Sequence, residues 1–270
     1  MGISIGVNVE KQTEKIGVMD SGLGGLTVVR ELERILPGEI VYFGDNANCP
    51  YGNRPKEEIL DLSCAMLDFM QKQGVKTVAI ACNTISTLVQ DLRARYEFPI
   101  VSIIEEACKH VAGLPQVGVF ATEFTISQGL YATLLGQLRP ETKVSGVASR
   151  TLAMLVDEGR FDGSETLEEV NSMLGKLQSK HPEVKHIVLG CTHYPIVQDL
   201  FEKAAPGVTF INPAAVQAEA VKALLRERGL LSNIQEPSPK IEIFTSGEKG
   251  PYEAAIKKLG IKGPLTVTIT

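Results

Sequence analysis

VKTVAIACNT at Val75–Thr84 and VKHIVLGCTH at Val184–His193 nearly repeat each other, and each ends an apolar run with a cysteine. Short continuous runs of this kind, rich in Val and Ile, read as strands buried on both faces of a parallel sheet. Each run is followed by polar residues and a helical pattern, so each reads as the strand of a βαβ unit that ends in a thiol. Two such units predict a site built from two matched halves, with Cys82 and Cys191 as its reactive groups. A thiol can take a proton from carbon and give one back. Two facing thiols can therefore work on opposite sides of one carbon.

Outward from these segments the doubling continues, because KIGVMDSG (Lys15–Gly22) has a weaker counterpart in QVGVFATE (Gln116–Glu123). Apolar, β-branched runs predict strands at Ile16–Met19, Ile40–Phe43, Thr77–Ala81, Ile100–Ile103, Val117–Phe120, Lys143–Val147, His186–Leu189, Thr209–Ile211 and Lys240–Thr245. Between them, amphipathic patterns predict helices at Leu26–Leu36, Glu57–Gln73, Thr84–Tyr96, Ser164–Ser179 and Ala214–Arg228. The fold class is thus α/β, with two similar, pseudo-symmetric lobes, mainly parallel sheets, and the site in the cleft between them. Open α/β sheets place ligands at the carboxyl ends of their strands, which is where both cysteines fall. The first lobe is expected to be discontinuous, spanning 1–101 and 213–270, with the second at 102–212. After His193, the strand-like FIN, a helix and EIFTSGE return the chain to the first lobe, and NIQEPSPK (Asn233–Lys240) reads as a loop.

The chain has 270 residues, of which 44% are hydrophobic, enough for a sizeable core. Its formal charge of −5 and lack of a Lys/Arg run give no footprint for nucleic acid. No stretch approaches a membrane span, and the start MGISIGVNVEKQTEK lacks the pattern of a secretory signal. Gly6 stands where a myristoylation signal needs Ser or Thr. A cytoplasmic protein is expected. The five cysteines are widely spaced, without CxxC, and the four histidines show no HExxH, so neither disulfides nor a metal site is expected.

Four segments carry the candidate chemistry. The turn Asp20-Ser21-Gly22-Leu23-Gly24-Gly25 follows the first strand, where glycines let backbone N–H groups approach an anionic ligand. A dinucleotide fingerprint is a rival reading of Gly22-x-Gly24 with Asp45 further on, although Thr27 holds the place of the third glycine. Asp20 can pair with an ammonium group or cap the helix. In the loop Tyr42–Arg54, Tyr51 and Gly52 can offer backbone donors, whereas Cys49 has no evident activating partner and reads as structural. Asn83 and Thr84 follow Cys82, and Thr192, His193 and Pro195 follow Cys191. A helix start after each cysteine is expected to stabilise the thiolate, and His193 to tune Cys191 or act as an acid. Cys64 and Cys108 lie in helical patterns and read as core.

On DSGLGGLTV (Asp20–Val28), YFGDNANCPYG (Tyr42–Gly52), ACNT (Ala81–Thr84) and LGCTHYP (Leu189–Pro195), the chain resembles the glutamate racemase family. That resemblance implies cofactor-independent interconversion of L- and D-glutamate, supplying D-glutamate for peptidoglycan, with a small-molecule substrate and often a homodimer. It places the opposed proton donor and acceptor at Cys82 and Cys191. It places substrate contacts at Asp20 and Ser21, Tyr51 and Gly52, Asn83 and Thr84, Thr192 and His193, and in the segment holding Thr122 and Thr125. In SRTLAMLVDEG (Ser149–Gly159), Asp157 stands where the family has the Glu that supports the histidine near the second cysteine, and Ser149 and Arg150 replace Cys-Pro. SIIEEA at Ser102–Ala107 also departs from the family pattern. An aspartate racemase or a silent amino-acid-binding protein on the same scaffold stays open at this level.

Overall fold

The computed structural model describes residues 15–231 and 239–270. Its strands are β1 Lys15–Asp20, β2 Glu39–Gly44, β3 Thr77–Ile80, β4 Ile100–Ser102, β5 Gln116–Thr122, β6 Lys143–Ser149, β7 His186–Gly190, β8 Thr209–Ile211, β9 Lys240–Thr245 and β10 Leu265–Ile269. The helices are α1 Leu26–Ile35, α2 Lys56–Lys72, α3 Asn83–Ser86, α4 Val89–Arg93, α5 Ile103–Val111, α6 Glu123–Gln128, α7 Leu130–Leu138, α8 Leu152–Asp157, α9 Ser164–Lys180, α10 Gln198–Ala204, α11 Ala214–Glu227 and α12 Lys249–Leu259. The reading of the amino-terminal segment and most of the Asn233–Lys240 loop fall outside the described residues.

The strands form two sheets, ordered β10-β9-β2-β1-β3-β4 and β6-β5-β7-β8, and every neighbouring pair is parallel. The second sheet repeats the inner order of the first, with β5, β6, β7 and β8 in the places of β1, β2, β3 and β4. The repeated sequence segments therefore occupy equivalent central strands. The register sets Met19 beside Ile80 and Ala121 beside Gly190, which brings Asp20 level with the end of β3, and Thr122 level with the end of β7. Thr77–Ile80 is buried throughout, as a strand covered on both faces requires.

Two expectations are corrected here. FIN lies in β8, which pairs with β7, so that strand belongs to the second sheet; α11 and β9 make the return. The helix predicted over Thr84–Tyr96 is two short helices. Thr87 Oγ1 donates to the Thr84 carbonyl at 2.7 Å, and Leu88 leaves helical geometry (φ −104°, ψ 12°). A hydroxyl that competes for a helical carbonyl interrupts the ladder in this way.

The chain crosses between the sheets twice, through α5 and through the segment entering α11, and these two helices pack on each other. Gln217 on α11 is buried, and its Nε2 donates to the carbonyls of Ile80 and Val101 at 2.9 Å each. The crossover thus ties down the strand end that carries Cys82. No helix among the described residues is long and apolar enough to cross a membrane.

Candidate active site

The cleft between the two sheets holds a cavity of about 20 Å³, lined among others by Ser21, Tyr51, Gly52, Cys82, Asn83, Thr84, Thr122, Cys191, Thr192 and His193. Both cysteines reach it from matching places, just past β3 and β7. Both are buried, and both are free thiols. The space suffices for about one water molecule, so the lobes are closed on each other.

Closure is made by polar contacts across the cleft. On one side, Thr192 Oγ1 donates to Asp20 Oδ2 at 2.9 Å. Leu23 N (3.2 Å), Asn46 Nδ2 (3.2 Å) and Cys49 Sγ (3.0 Å), all from the first lobe, donate to Asp157 on α8 of the second. Across the cavity, Thr84 Oγ1 lies 3.0 Å from Thr122 Oγ1 and 3.3 Å from Thr125 Oγ1, and Tyr131 OH donates to Asn83 Oδ1 at 2.8 Å. With its oxygen taken by Tyr131, Asn83 keeps Nδ2 buried in the cavity wall and, among the described residues, without a partner. A buried donor left free in this way is matched to an acceptor that arrives from outside, such as a carboxylate.

The electrostatics are uneven. Burial raises Asp20 from 3.8 to about 6, opposed by His193, by the Gly22 N–H donating at 2.9 Å, and by Thr192. Cys82 is pushed up to about 12, by burial first and then by the Asp20 carboxylate, against the Ser21 hydroxyl at 3.4 Å. Burial would push His193 down. The Asp157 carboxylate and the contact with Cys191 outweigh it and hold the imidazolium well above its ordinary range. In the same pair, Asp157 is held below the ordinary carboxylate range despite its burial, chiefly by His193. His193 Nδ1 lies 3.5 Å from Cys191 Sγ. Its Nε2 lies 3.0 Å from Asp157 Oδ1, an ion-pair distance, but too far off line for a hydrogen bond.

Several expectations change. The expected lowering of the Cys82 thiol by a helix start is reversed, because α3 has only four residues and burial beside Asp20 dominates. The glycine turn does not offer its first amides to a ligand: Gly22 N and Leu23 N donate to Asp20 and Asp157. Nor does it leave room for a pyrophosphate, since a Cβ on Gly24 would stand 2.5 Å from Thr192 Oγ1. Asp45 is taken by Asn48, Tyr51 and Ser246, which answers the dinucleotide reading. Asp20 and Thr125 stand behind the cavity wall, Asp20 behind Thr192 and Thr125 behind Thr84 and Thr122. Tyr51 turns its hydroxyl away, to Asp45 Oδ2 at 2.6 Å.

From the sequence, Cys49 reads as structural with no activating partner. It contacts Asp157 directly, and burial with that carboxylate raises its thiol far above the ordinary value. The shorter Asp157 side chain still reaches the histidine. Tyr131 and Asn46 were missed: Tyr131 carries no local signal, and Asn46, although inside the Tyr42–Gly52 motif, is brought to Asp157 only by the way the lobes meet.

The model for Asp/Glu/Hydantoin racemases matches residues 16–221. Glutamate racemase from Carboxydothermus hydrogenoformans is 37% identical over 254 residues, covering 93% of this chain and 92% of that protein. Glutamate racemase from Oceanobacillus iheyensis is 34% identical over 241 residues, 87% of each. Among solved structures, a glutamate racemase isoform from Bacillus anthracis superposes with a TM-score of 0.85 at 30% identity, covering 95% of this chain and 97% of that one. Glutamate racemase from Francisella tularensis in complex with D-glutamate gives 0.85 at 29% identity, covering 96% and 98%.

Proposed function

The chain belongs to the Asp/Glu/Hydantoin racemase family and is an amino-acid racemase, and from that premise we propose that it interconverts L- and D-glutamate without a cofactor. The observation that carries this reading is the pair of buried thiols, Cys82 and Cys191, which line one cavity from equivalent strand ends. In this mechanism one cysteine, as thiolate, takes the α-proton from one face of the amino acid. The other, as thiol, gives its proton to the opposite face, and the roles exchange for the other enantiomer. Each turnover leaves the proton count of the protein unchanged.

The α-carbon is a weak acid beside a carboxylate, so the site must offset developing charge. Asn83 Nδ2, the Thr84 and Thr122 hydroxyls and Thr192 surround the cavity as donors for carboxylates. Asp20, behind Thr192 and Ser21, contributes a fixed negative charge that favours the ammonium form of the substrate, the form with the more acidic α-hydrogen. The ammonium in turn offsets the field of Asp20 that holds Cys82 protonated in the closed cleft. His193, kept cationic by Asp157, sets a positively charged ring with Nδ1 3.5 Å from Cys191 Sγ. We take the closing bodies to divide just past β4, one residue beyond the expected 101/102 because Ser102 pairs with Ile80 in the first sheet, and at 212/213. The D-glutamate product would serve peptidoglycan assembly in the cytoplasm, as the family resemblance implies.

Proton NMR of L-glutamate in D₂O with the purified protein and no added cofactor tests the reading, with optical rotation or circular dichroism followed alongside. Loss of the α-proton signal together with decay of optical activity is expected. L-Glutamate left unexchanged, with L-aspartate exchanged instead, would overturn the substrate assignment.

A further inference from the structure

The His193–Asp157 pair beside Cys191 has a third neighbour, Cys49, which the proton transfer does not use. Cys49 Sγ, Asp157 and His193 Nε2 offer three ligand atoms that all lie within 4.8 Å of one another. Cys49 Sγ donates to Asp157 Oδ2 at 3.0 Å, while His193 Nε2 stands 3.0 Å from Oδ1. That nitrogen is buried and, among the described residues, has no hydrogen-bond partner, although the carboxylate lies 3.0 Å away. Thiolate, imidazole and carboxylate together are the donor set that suits Zn²⁺, three protein ligands and an open fourth position being its usual reactive-site arrangement. With bonds of roughly 2.0–2.3 Å at tetrahedral angles, such ligand atoms stand about 3.3–3.7 Å apart. The widest separation here need shrink by only about 1 Å to meet that geometry. Leu23 N and Asn46 Nδ2 already hold the carboxylate from outside the cluster, the kind of support that orients a metal ligand. The three ligands come from three distant segments, which is why no linear spacing revealed them.

We propose that Cys49, Asp157 and His193 form an inhibitory site for a zinc-like divalent cation that staples the two lobes shut. Cys49 belongs to the first-lobe loop after β2, whereas Asp157 ends α8 and His193 follows β7 in the second lobe. On binding, metal–sulfur, metal–nitrogen and metal–oxygen bonds form to Cys49, His193 and Asp157 as waters leave the ion, the thiol proton of Cys49 and the Nε2 proton of His193 leave to solvent, and no electron is transferred. A substrate cannot enter a cleft closed to about 20 Å³ unless the lobes separate, and the staple opposes that separation. The metal also fixes His193 as a neutral ring whose Nδ1 carries its hydrogen toward Cys191. The inhibition rests on the racemase reading; the metal binding does not.

Two arms keep these apart. Co²⁺ titrated into the Cys82→Ser/Cys191→Ser protein is expected to give one ion per chain, with tetrahedral ligand-field bands and a thiolate-to-cobalt charge-transfer band. Adding Cys49→Ser should abolish the charge-transfer band and weaken binding by more than about 100-fold, the loss that even an outer-shell partner can cause. Asp157→Asn, with folding checked by circular dichroism, should weaken binding while keeping the thiolate band. A band absent from the double-serine protein overturns the site, and its presence in the wild type would then place the metal on the catalytic thiols; a band that survives Cys49→Ser overturns the site as well. In the second arm, Zn²⁺ should stop glutamate racemisation by the wild type, reversibly with a chelator. Full turnover with the site saturated overturns the inhibitory role. A protein that never turns over glutamate fails the racemase reading instead, and the cobalt arm still decides the site.

Discussion

At the residue scale, the two cysteines are distinguishable even though the scaffold repeats. Cys82 faces Ser21 and the field of Asp20, whereas Cys191 faces an imidazolium held by Asp157. Replacing either by Ser should lower racemisation by at least about 10³-fold, since each is asked to supply a full proton transfer. Each variant should still exchange the α-hydrogen of the one enantiomer whose hydrogen faces the remaining thiol, as read by NMR in D₂O. Equal exchange of both enantiomers by a single-thiol variant would sink the two-base scheme. Asp20 supports a second prediction, about pH. Its folded value of about 6 lies above the ordinary 3.8, so above about pH 6 it is ionised in both folded and unfolded states, and its burial is then destabilising by roughly 3 kcal/mol. Between about pH 4 and 6 the folded state binds a proton that the unfolded state does not, so this contribution to stability grows as pH falls through that window. Asp20→Asn should remove that slope and be the more stable protein at pH 7 in urea titrations, while losing activity. In the wild type, kcat/KM should decline below about pH 6 as the carboxylate is lost. An acid limb centred well below pH 5, or no difference in slope between the two proteins, would refute the role given to Asp20.

At the scale of elements, the sequence repeats and the register carry most of the site. The apolar runs at Thr77–Ile80 and His186–Gly190 are legible because both faces of a central strand are covered, and the cysteine positions follow from where those runs stop. β10 went unread because, at the sheet edge, Leu265–Ile269 alternates half-buried and exposed positions, so no apolar run marks it. The latch at Asp157 was legible only through family resemblance, since its partners Leu23, Asn46 and Cys49 come from another lobe. Two elements give further tests. The α1 entry packs so closely on the end of β7 that a Cβ at Gly24 would meet Thr192 Oγ1 at 2.5 Å and His193 N at 2.8 Å. Gly24→Ala should therefore hinder closure, with overpacking of about 1–3 kcal/mol. Its kcat/KM should fall about 10-fold or more, and unchanged kinetics would show that closure does not require this contact. Gln217→Leu on α11 removes the Nε2 donor from both the Ile80 and Val101 carbonyls, leaving Ile80 with the longer bond from the Ser86 hydroxyl at 3.3 Å. A loss of about 1–3 kcal/mol is expected in chemical denaturation, and a neutral result would remove α11 from the support of the Cys82 strand end.

At the scale of the whole molecule, the geometry implies that capture of substrate is a conformational event. The closed cavity of about 20 Å³ holds about one water, while a five-carbon amino acid needs several times that volume. The lobes are joined only by the crossing through α5 and the one into α11 among the described residues, and these helices pack together. Opening can thus turn about that pair while both sheets stay rigid, breaking the contacts Thr192–Asp20, Asp157–Asn46 and Thr84–Thr122 at the far side. Those contacts are short and few, and local openings of this kind are the low-energy end of a protein's motions. Saturating glutamate should hold the lobes together around itself, in an arrangement wider than the empty closed cleft, raising the unfolding temperature by the ordinary linkage of ligand binding. Hydrogen exchange should slow at the amides of Ser21–Leu23, Asn83–Ile85 and Thr192–Tyr194, which meet at the cleft, and remain unchanged in the middle of α9, which lies on the outside of its lobe. Protection spread evenly over both lobes would indicate global stabilisation without a hinge. Protection absent at the cleft, with binding established independently, would mean that the substrate sits elsewhere and that the closed cavity is not its site.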